Sequence, residues 1–379
     1  MKVYDLKYYK KTHAVVIGGG VIGTSITYHL AQRGIDTILV EKNDIASGTS
    51  GACDGFVFLQ SKKPGYHLNM ALKSTRMMEM LSSELTLDIE YRKNGGMIIV
   101  KSPEDMPDIE RLVKRQQKHG LDVQWLNSQE ARKLEPHLSP QVVGATYSSM
   151  DAQVNSMMLC FAFAKGAEEM GGEILTHTEV TDIIIEKNKI QGIITSEGAI
   201  KSDIVVNAAG VYAPVVANMA GVKLPIIPRR GQILVTEYMP PMFSRVMICS
   251  KYIVSKFKRS PLYKDETGVG LAIEQTKAGT ILIGSTREFA GYNKNNTPGG
   301  IQSILKHACE FFPTLKEISI IRTFAGLRPY TSDGMPILGE IGPVKGFITA
   351  SGHEGDGIAL SPVTGFMIAE LIEKGKLPK

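Results

Sequence analysis

Gly18-Gly19-Gly20-Val21-Ile22-Gly23 has the G-x-G-x-x-G spacing. Gly at the first position permits a tight turn, at the third a close backbone approach to a pyrophosphate, and at the sixth close helix–strand packing. The motif follows an apolar run at 14–17 and opens a helical pattern at 21–33 that Gly34 ends. A second apolar run, 37–40, leads into Glu41, whose carboxylate can take ribose hydroxyls and repels a 2′-phosphate, disfavouring NADP. A helix N-terminus also offers unpaired N–H groups and partial positive charge to the pyrophosphate.

This motif alone does not separate FAD from NAD; three further segments do. Ala46-Ser47-Gly48-Thr49-Ser50-Gly51-Ala52 is small and hydroxyl-rich, suited to a second phosphate loop that the longer FAD needs. Asn207-Ala208-Ala209-Gly210 ends an apolar strand in small residues that again permit close approach. Gly352-His353-Glu354-Gly355-Asp356-Gly357 joins the last apolar strand to the last helix. Such a turn aims N–H groups at an electron-rich group, as a reduced flavin is near N1 and C2=O.

The elements that must carry these loops are legible from apolar periodicity. Helices are predicted at 66–84, 103–119, 128–133, 155–170, 301–312 and 358–374. Strands are predicted at 97–100, 144–147, 173–176, 181–186, 190–195, 204–206 and 347–350, with a hairpin turn at Lys187-Asn188-Lys189. Residues 226–283 read as strands interrupted by a polar segment at 256–267. βαβ material at both ends and antiparallel material between predict an α/β fold, α+β overall. A Rossmann-like FAD-binding domain (1–85, 145–222, 323–379) would interleave with a mostly antiparallel substrate-binding domain (86–144, 223–322).

Composition bounds the rest. The chain has 379 residues, 43% hydrophobic and 21% charged, enough apolar surface for a sizeable core. A net charge of +5 is too dispersed to argue for nucleic acid. The 38 glycines exceed the usual share of about 7% and concentrate where backbone must approach something closely. The four cysteines lie far apart and form no CxxC pair, so neither a structural metal nor a disulfide framework is expected, and the compartment reads as cytoplasmic. The basic start and apolar 14–30 imitate a leader, but three consecutive glycines break the run. No stretch of about 20 apolar residues predicts a membrane span.

The sequence resembles the FAD-dependent amino-acid and amine oxidoreductases of the D-amino-acid oxidase superfamily, on the glycine oxidase and sarcosine oxidase branch. The resemblance covers nearly the whole chain. It rests on Gly18–Gly23 with Glu41, on Thr49-Ser50, on Gly326-Leu327-Arg328-Pro329 with Asp333-Gly334, and on the Gly352–Gly357 turn. Ser61-Lys62-Lys63-Pro64-Gly65 and the run through Ile358 look most like flavin subunits of hydrogen cyanide synthase, opine oxidase and proline or hydroxyproline dehydrogenases.

The resemblance implies site residues. Val21 and Ile22 would contact the pyrophosphate by backbone, and Glu41 and Lys42 the adenosine ribose. Thr49, Ser50 and the Cys53-Asp54-Gly55 turn would lie along the diphosphate and isoalloxazine, and Val180 would meet the adenine. His353, Glu354, Gly355, Asp356, Gly357 and Ile358 would line the flavin ring. Arg328, expected in a turn, would grip a substrate carboxylate. Some relatives carry a second substrate-binding Arg where this chain has Gly355; Glu354 and Asp356 offer instead an acidic contact to a substrate amine. The chain stops soon after the last helix, which fits a subunit of a complex.

The chemistry expected is removal of the Cα hydrogen as hydride to flavin N5, so orientation dominates. The planar Arg fork suits a carboxylate. No dedicated base is required, although His353 is a candidate. Phe56 is expected near flavin or substrate, Tyr252, Tyr263 and Tyr330 are candidate pocket hydroxyls, and Cys53 is a candidate covalent flavin anchor. Lys256, Lys258 and Arg259 are a candidate docking patch for an electron-accepting subunit. The substrate would be a small amino acid or secondary-amine carboxylate: glycine, sarcosine, a D-amino acid, proline, hydroxyproline or an opine. Electrons would pass to a partner subunit or carrier, with a homo-oligomer as the other assembly. The rival functions are a flavin-holding subunit inactive without its partner and an NAD-dependent dehydrogenase.

Overall fold

A computed structural model describes residues 8–258 and 268–378. Its centre is a six-stranded sheet in the order Ile337–Glu340, Phe347–Ser351, Ile204–Asn207, Ala14–Ile17, Thr37–Val40, Glu173–Leu175. All neighbours run parallel except the antiparallel edge strand Ile337–Glu340. The strands Ala14–Ile17 and Thr37–Val40 are buried at every residue, as a parallel sheet covered on both faces requires. Each fully buried Val, Ile or Leu there contributes roughly 1.5–3 kcal/mol.

Helix Val21–Ala31 packs between Ser156–Glu169 and the last helix, Gly357–Lys374. Small residues allow that approach: a Cβ on Gly365 would lie 2.3 Å from Ser25 Oγ, which donates to Ser361 O at 2.8 Å. Both glycine-rich turns thereby sit above the same end of the sheet.

The second large sheet has eight strands, in the order Ile320–Tyr330, Ile227–Tyr238, Thr280–Gly284, Ala272–Gln275, Val246–Cys249, Gly96–Val100, Gly144–Ser148, Gln124–Asn127. It is antiparallel except where Val246–Cys249 runs parallel to Gly96–Val100. Helices Met106–Gln117 and Pro298–Phe311 cover it, with Ile98, Ile109, Leu234, Ile283, Ile304 and Phe311 in the core. A four-stranded sheet of Tyr8–Lys11, Gly198–Lys201, Lys189–Thr195 and Val180–Glu186 and a two-stranded pair of Phe56–Val57 with Ala152–Gln153 make up the remaining β-sheets among the described residues. The hairpin of the four-stranded sheet turns at Lys187 (φ 49°) and Asn188 (φ 59°), the positive pair a two-residue turn requires.

The structure thus has the expected mixed architecture, with three local departures. Residues 326–329 form no turn: they belong to the strand Ile320–Tyr330, so Arg328 is a strand residue in register with Arg229. The division proposed at residue 323 falls inside that strand. Sheet membership supports instead a proposed boundary after Tyr330. Finally, helix Ser250–Lys258 interrupts the run read as strands; residues 259–267 of the expected polar segment lie outside the described residues. No helix among the described residues is long and apolar enough to cross a membrane.

Gly23 shows how tightly the first turn is built, since a Cβ there would sit 1.9 Å from Gly18 O. Gly23→Ala is therefore expected to lower the unfolding free energy by about 1–3 kcal/mol, as overpacking does. A urea melt of the loaded protein checks this.

Candidate functional site

Between the two large sheets lies a cavity of about 480 Å³. Glu41, Lys42 and Val180 line one part, Gly18, Gly20, Val21, Ile22 and the 47–50 loop another. Phe56, Lys62, Arg328 and the 353–358 turn line a third. All the residues expected to hold the cofactor or the carboxylate line it except Gly23 and Gly55, which serve packing: a Cβ on Gly55 would be 1.8 Å from Val154 O.

The first turn is held from two sides. Gly18 adopts φ 115°, where a Cβ would lie 2.6 Å from Ala208 O, which explains the small residues after the strand Ile204–Asn207. Glu41 accepts from Gly19 N–H (2.7 Å) and Asn43 N–H (2.8 Å). Each oxygen of that fixed carboxylate keeps a lone pair for a ribose hydroxyl. The Val21 N–H, expected to face a pyrophosphate, donates instead to Ser50 Oγ at 3.0 Å. Thr49 Oγ1 donates to Leu327 O at 2.6 Å, so the second loop ties the first turn to the Arg328 strand.

These features fit FAD. The cradle places a glycine turn, a helix N-terminus and an oriented acid in one part of the cavity, and leaves polar groups for a second ring system in another. Gly210, Ala208 and Ala209 line the wall between them without bulky side chains.

At the far end Arg328 donates from Nη2 to Ser285 Oγ (2.7 Å) and from Nη1 to Thr286 O (3.3 Å). Its guanidinium has room only because residue 231 is glycine: a Cβ there would lie 2.9 Å from Nη2. Arg229, beside it on the next strand, pairs with Glu354, which also accepts from Gly355 N–H at 2.7 Å. The Tyr330 ring lies under Arg229 at 4.7 Å rather than in the cavity wall. Phe56 and Tyr252 do line the cavity, whereas Tyr263 lies outside the described residues. So does Arg259, and the side chains of Lys256 and Lys258 are not among those described, so the candidate docking patch has no structural account.

Asp356 forms a buried ion pair with Lys62 Nζ at 2.6 Å, and His67 Nε2 lies 3.5 Å from its other oxygen. His353 is buried, with Nε2 3.1 Å from Thr364 Oγ1, and burial pushes its pKa down to about 3. A neutral imidazole bound to a hydroxyl is a structural neighbour of the site rather than a poised base. Burial raises the Cys53 thiol far above its ordinary range, which removes the thiolate that a covalent anchor would need.

Lys62 and Gly231, which line the cavity, Arg229, which pairs with Glu354, and Glu274, which accepts the Gly55 N–H at 2.8 Å behind the wall, were missed. Lys62 lay within a recognised motif but without a partner in the sequence. Glu274 had a signal: a single acid inside the apolar strand Ala272–Gln275.

Removing one member of the buried pair leaves an uncompensated charge. Lys62→Met is expected to cost about 3–5 kcal/mol of stability. Adding Asp356→Asn should restore most of it, as chemical denaturation of both variants would show.

The model of the FAD dependent oxidoreductase family matches residues 13–371. The glycine oxidase of Bacillus licheniformis is 30% identical over 370 residues, spanning 96% of this chain and 93% of its own. Hydrogen cyanide synthase subunit HcnC of Pseudomonas aeruginosa is 29% identical over 411 residues, 97% of this chain and 94% of its own. Among solved structures, the L-proline dehydrogenase from P. horikoshii superposes with a TM-score of 0.88 at 29% identity. It covers 97% of this chain and 96% of that one.

Proposed function

This chain belongs to the FAD-dependent oxidoreductase family, and from that premise we propose that it dehydrogenates a small amino acid or secondary-amine carboxylate to an imine. FAD is its cofactor, which rules against the NAD alternative. The observation that carries the reading is Arg328: a charged fork lining the cofactor cavity, hydrogen-bonded only to uncharged oxygens among the described residues. Similarity to glycine oxidase, HcnC and L-proline dehydrogenase supports substrates that present a carboxylate beside an amine.

Bound in this cavity, FAD supplies an acceptor for the Cα hydrogen and its electron pair. The chain's residues must bind, orient and keep water out. Arg328 takes the carboxylate through its two terminal nitrogens, a pairing that fixes both position and plane. Gly231 and the Ser285 and Thr286 oxygens hold that plane before substrate arrives. Such pre-organisation turns binding energy into alignment. Phe56, Phe58, Ile233, Ile248 and Ala272 furnish apolar walls that limit the side chain accepted and exclude water.

We propose that the electrons leave to a partner protein, since HcnC is by name a subunit. The same likeness supports a second reading, a flavin-bearing subunit that needs its partner to turn over.

Anaerobic mixing of the yellow holoprotein with glycine, sarcosine, D-alanine, L- and D-proline, hydroxyproline and an opine tests this. One of them is expected to bleach the flavin. Arg328→Ala should then raise the half-saturating concentration on the order of 100-fold, the worth of a charge-assisted pair, with FAD content unchanged. Bleaching by none of them without a partner favours the second reading. Bleaching that Arg328→Ala leaves untouched contradicts the assignment of the fork.

A further inference from the structure

The end of the cavity that carries Arg328 also carries three acids: Glu354, Asp356 and Asp54. Two are committed. Glu354 is paired with Arg229 and the Gly355 N–H, and Asp356 with Lys62. Asp54 has no ion pair among the described residues, although Arg328 lies close enough to act on it.

Behind Asp54 sits Glu274, nearly sealed from solvent at 3% exposure. Its Oε1 accepts the Gly55 N–H at 2.8 Å, which fixes the Asp54-Gly55 turn. Its Oε2 is buried and has no hydrogen-bond partner among the described residues. Burial and the negative field of Asp54 raise Glu274, which favours its protonated form and leaves Asp54, which lines the cavity, as the acceptor. Burial raises both; Arg328, then backbone N–H groups of Phe56 and Asp54 itself, then Lys62 pull Asp54 down, and the Gly55 N–H and Arg92 pull Glu274 down.

We infer that Asp54 receives the substrate's amino group, pairing with the ammonium and taking its proton before the Cα hydrogen leaves. This rests on the proposed dehydrogenation and names the group that prepares its substrate. In the step, an N–H bond of the ammonium breaks and an Oδ–H bond on Asp54 forms. The nitrogen keeps the electron pair, giving a neutral amine and a neutral carboxylic acid. Carboxylate and ammonium of a zwitterion then meet opposite charges, Arg328 and Asp54, in one wall of the cavity. A carboxylate docked on Arg328 cancels the positive field that had favoured ionised Asp54. The acceptor therefore becomes more basic as the ammonium is delivered. Glu274 is a positioning residue, holding the turn through Gly55.

Two ligands of equal shape isolate the amine: 2-aminoisobutyrate, which has no Cα hydrogen and is not oxidised, and pivalate, which has a methyl in place of the amine. Titration of holoprotein flavin absorbance is expected to show the amine-bearing ligand bound at least about 10-fold more tightly, as a charge-assisted contact requires. Asp54→Asn should abolish that preference while leaving pivalate affinity within about threefold of the parent. Its anaerobic reduction by an active amino acid at pH 7 should fall about 100-fold and recover above the amine's own pKa in water. Equal affinity of the two ligands in the parent protein, or no saturable binding of the amine-bearing one, overturns the inference whether or not the variant holds FAD. So does an Asp54→Asn protein that keeps the preference or the parent's pH profile. Failure of every amino acid to bleach the parent flavin would instead sink the proposed dehydrogenation.

Discussion

A guanidinium half-buried in a cavity must be held by something, and among the described residues what holds Arg328 is neutral: a serine hydroxyl and a threonine carbonyl. Among the described residues its charge is positioned without an ion pair to cancel it. The cations around it are treated differently, Lys62 joined to Asp356 and Arg229 to Glu354. Desolvated charges are expensive unless paired. At this end of the cavity the charges without an ion pair among the described residues are one fork and one nearby acid, which the carboxylate and ammonium of a zwitterion would complement.

That arrangement needs the two halves of the molecule to be rigid against each other, and the cofactor loops supply the staples. Thr49 bonds Leu327 O beside Arg328, and Gly326 lets Ala52 O approach to where a Cβ would be only 2.3 Å away. Ser50 reaches back to the first helix turn. A loop read as phosphate-wrapping is thus also a structural clasp, so cofactor cradle and substrate fork are built by the same few residues.

Much of this was legible in the sequence because it is local. Apolar runs bounded by glycine mark the strands Ala14–Ile17 and Thr37–Val40, and Glu41 follows at once. The strand bearing Arg328 was not legible, because glycine and proline both weaken strand character. They survive there for tertiary reasons: Gly326 faces Ala52 O, and Pro329 sits opposite Pro228 near the ladder's end. The ion pairs were hidden for another reason, since Lys62 and Asp356 are 294 residues apart and Arg229 and Glu354 are 125 apart. No periodicity reports such meetings; only the packed sheets do.

A structure of the FAD-loaded protein with 2-aminoisobutyrate bound would test the account most directly. The account predicts the carboxylate on the two terminal nitrogens of Arg328 and the amino nitrogen within hydrogen-bond reach of Asp54. A ligand carboxylate placed away from Arg328, or Asp54 engaged by the cofactor alone, would contradict it.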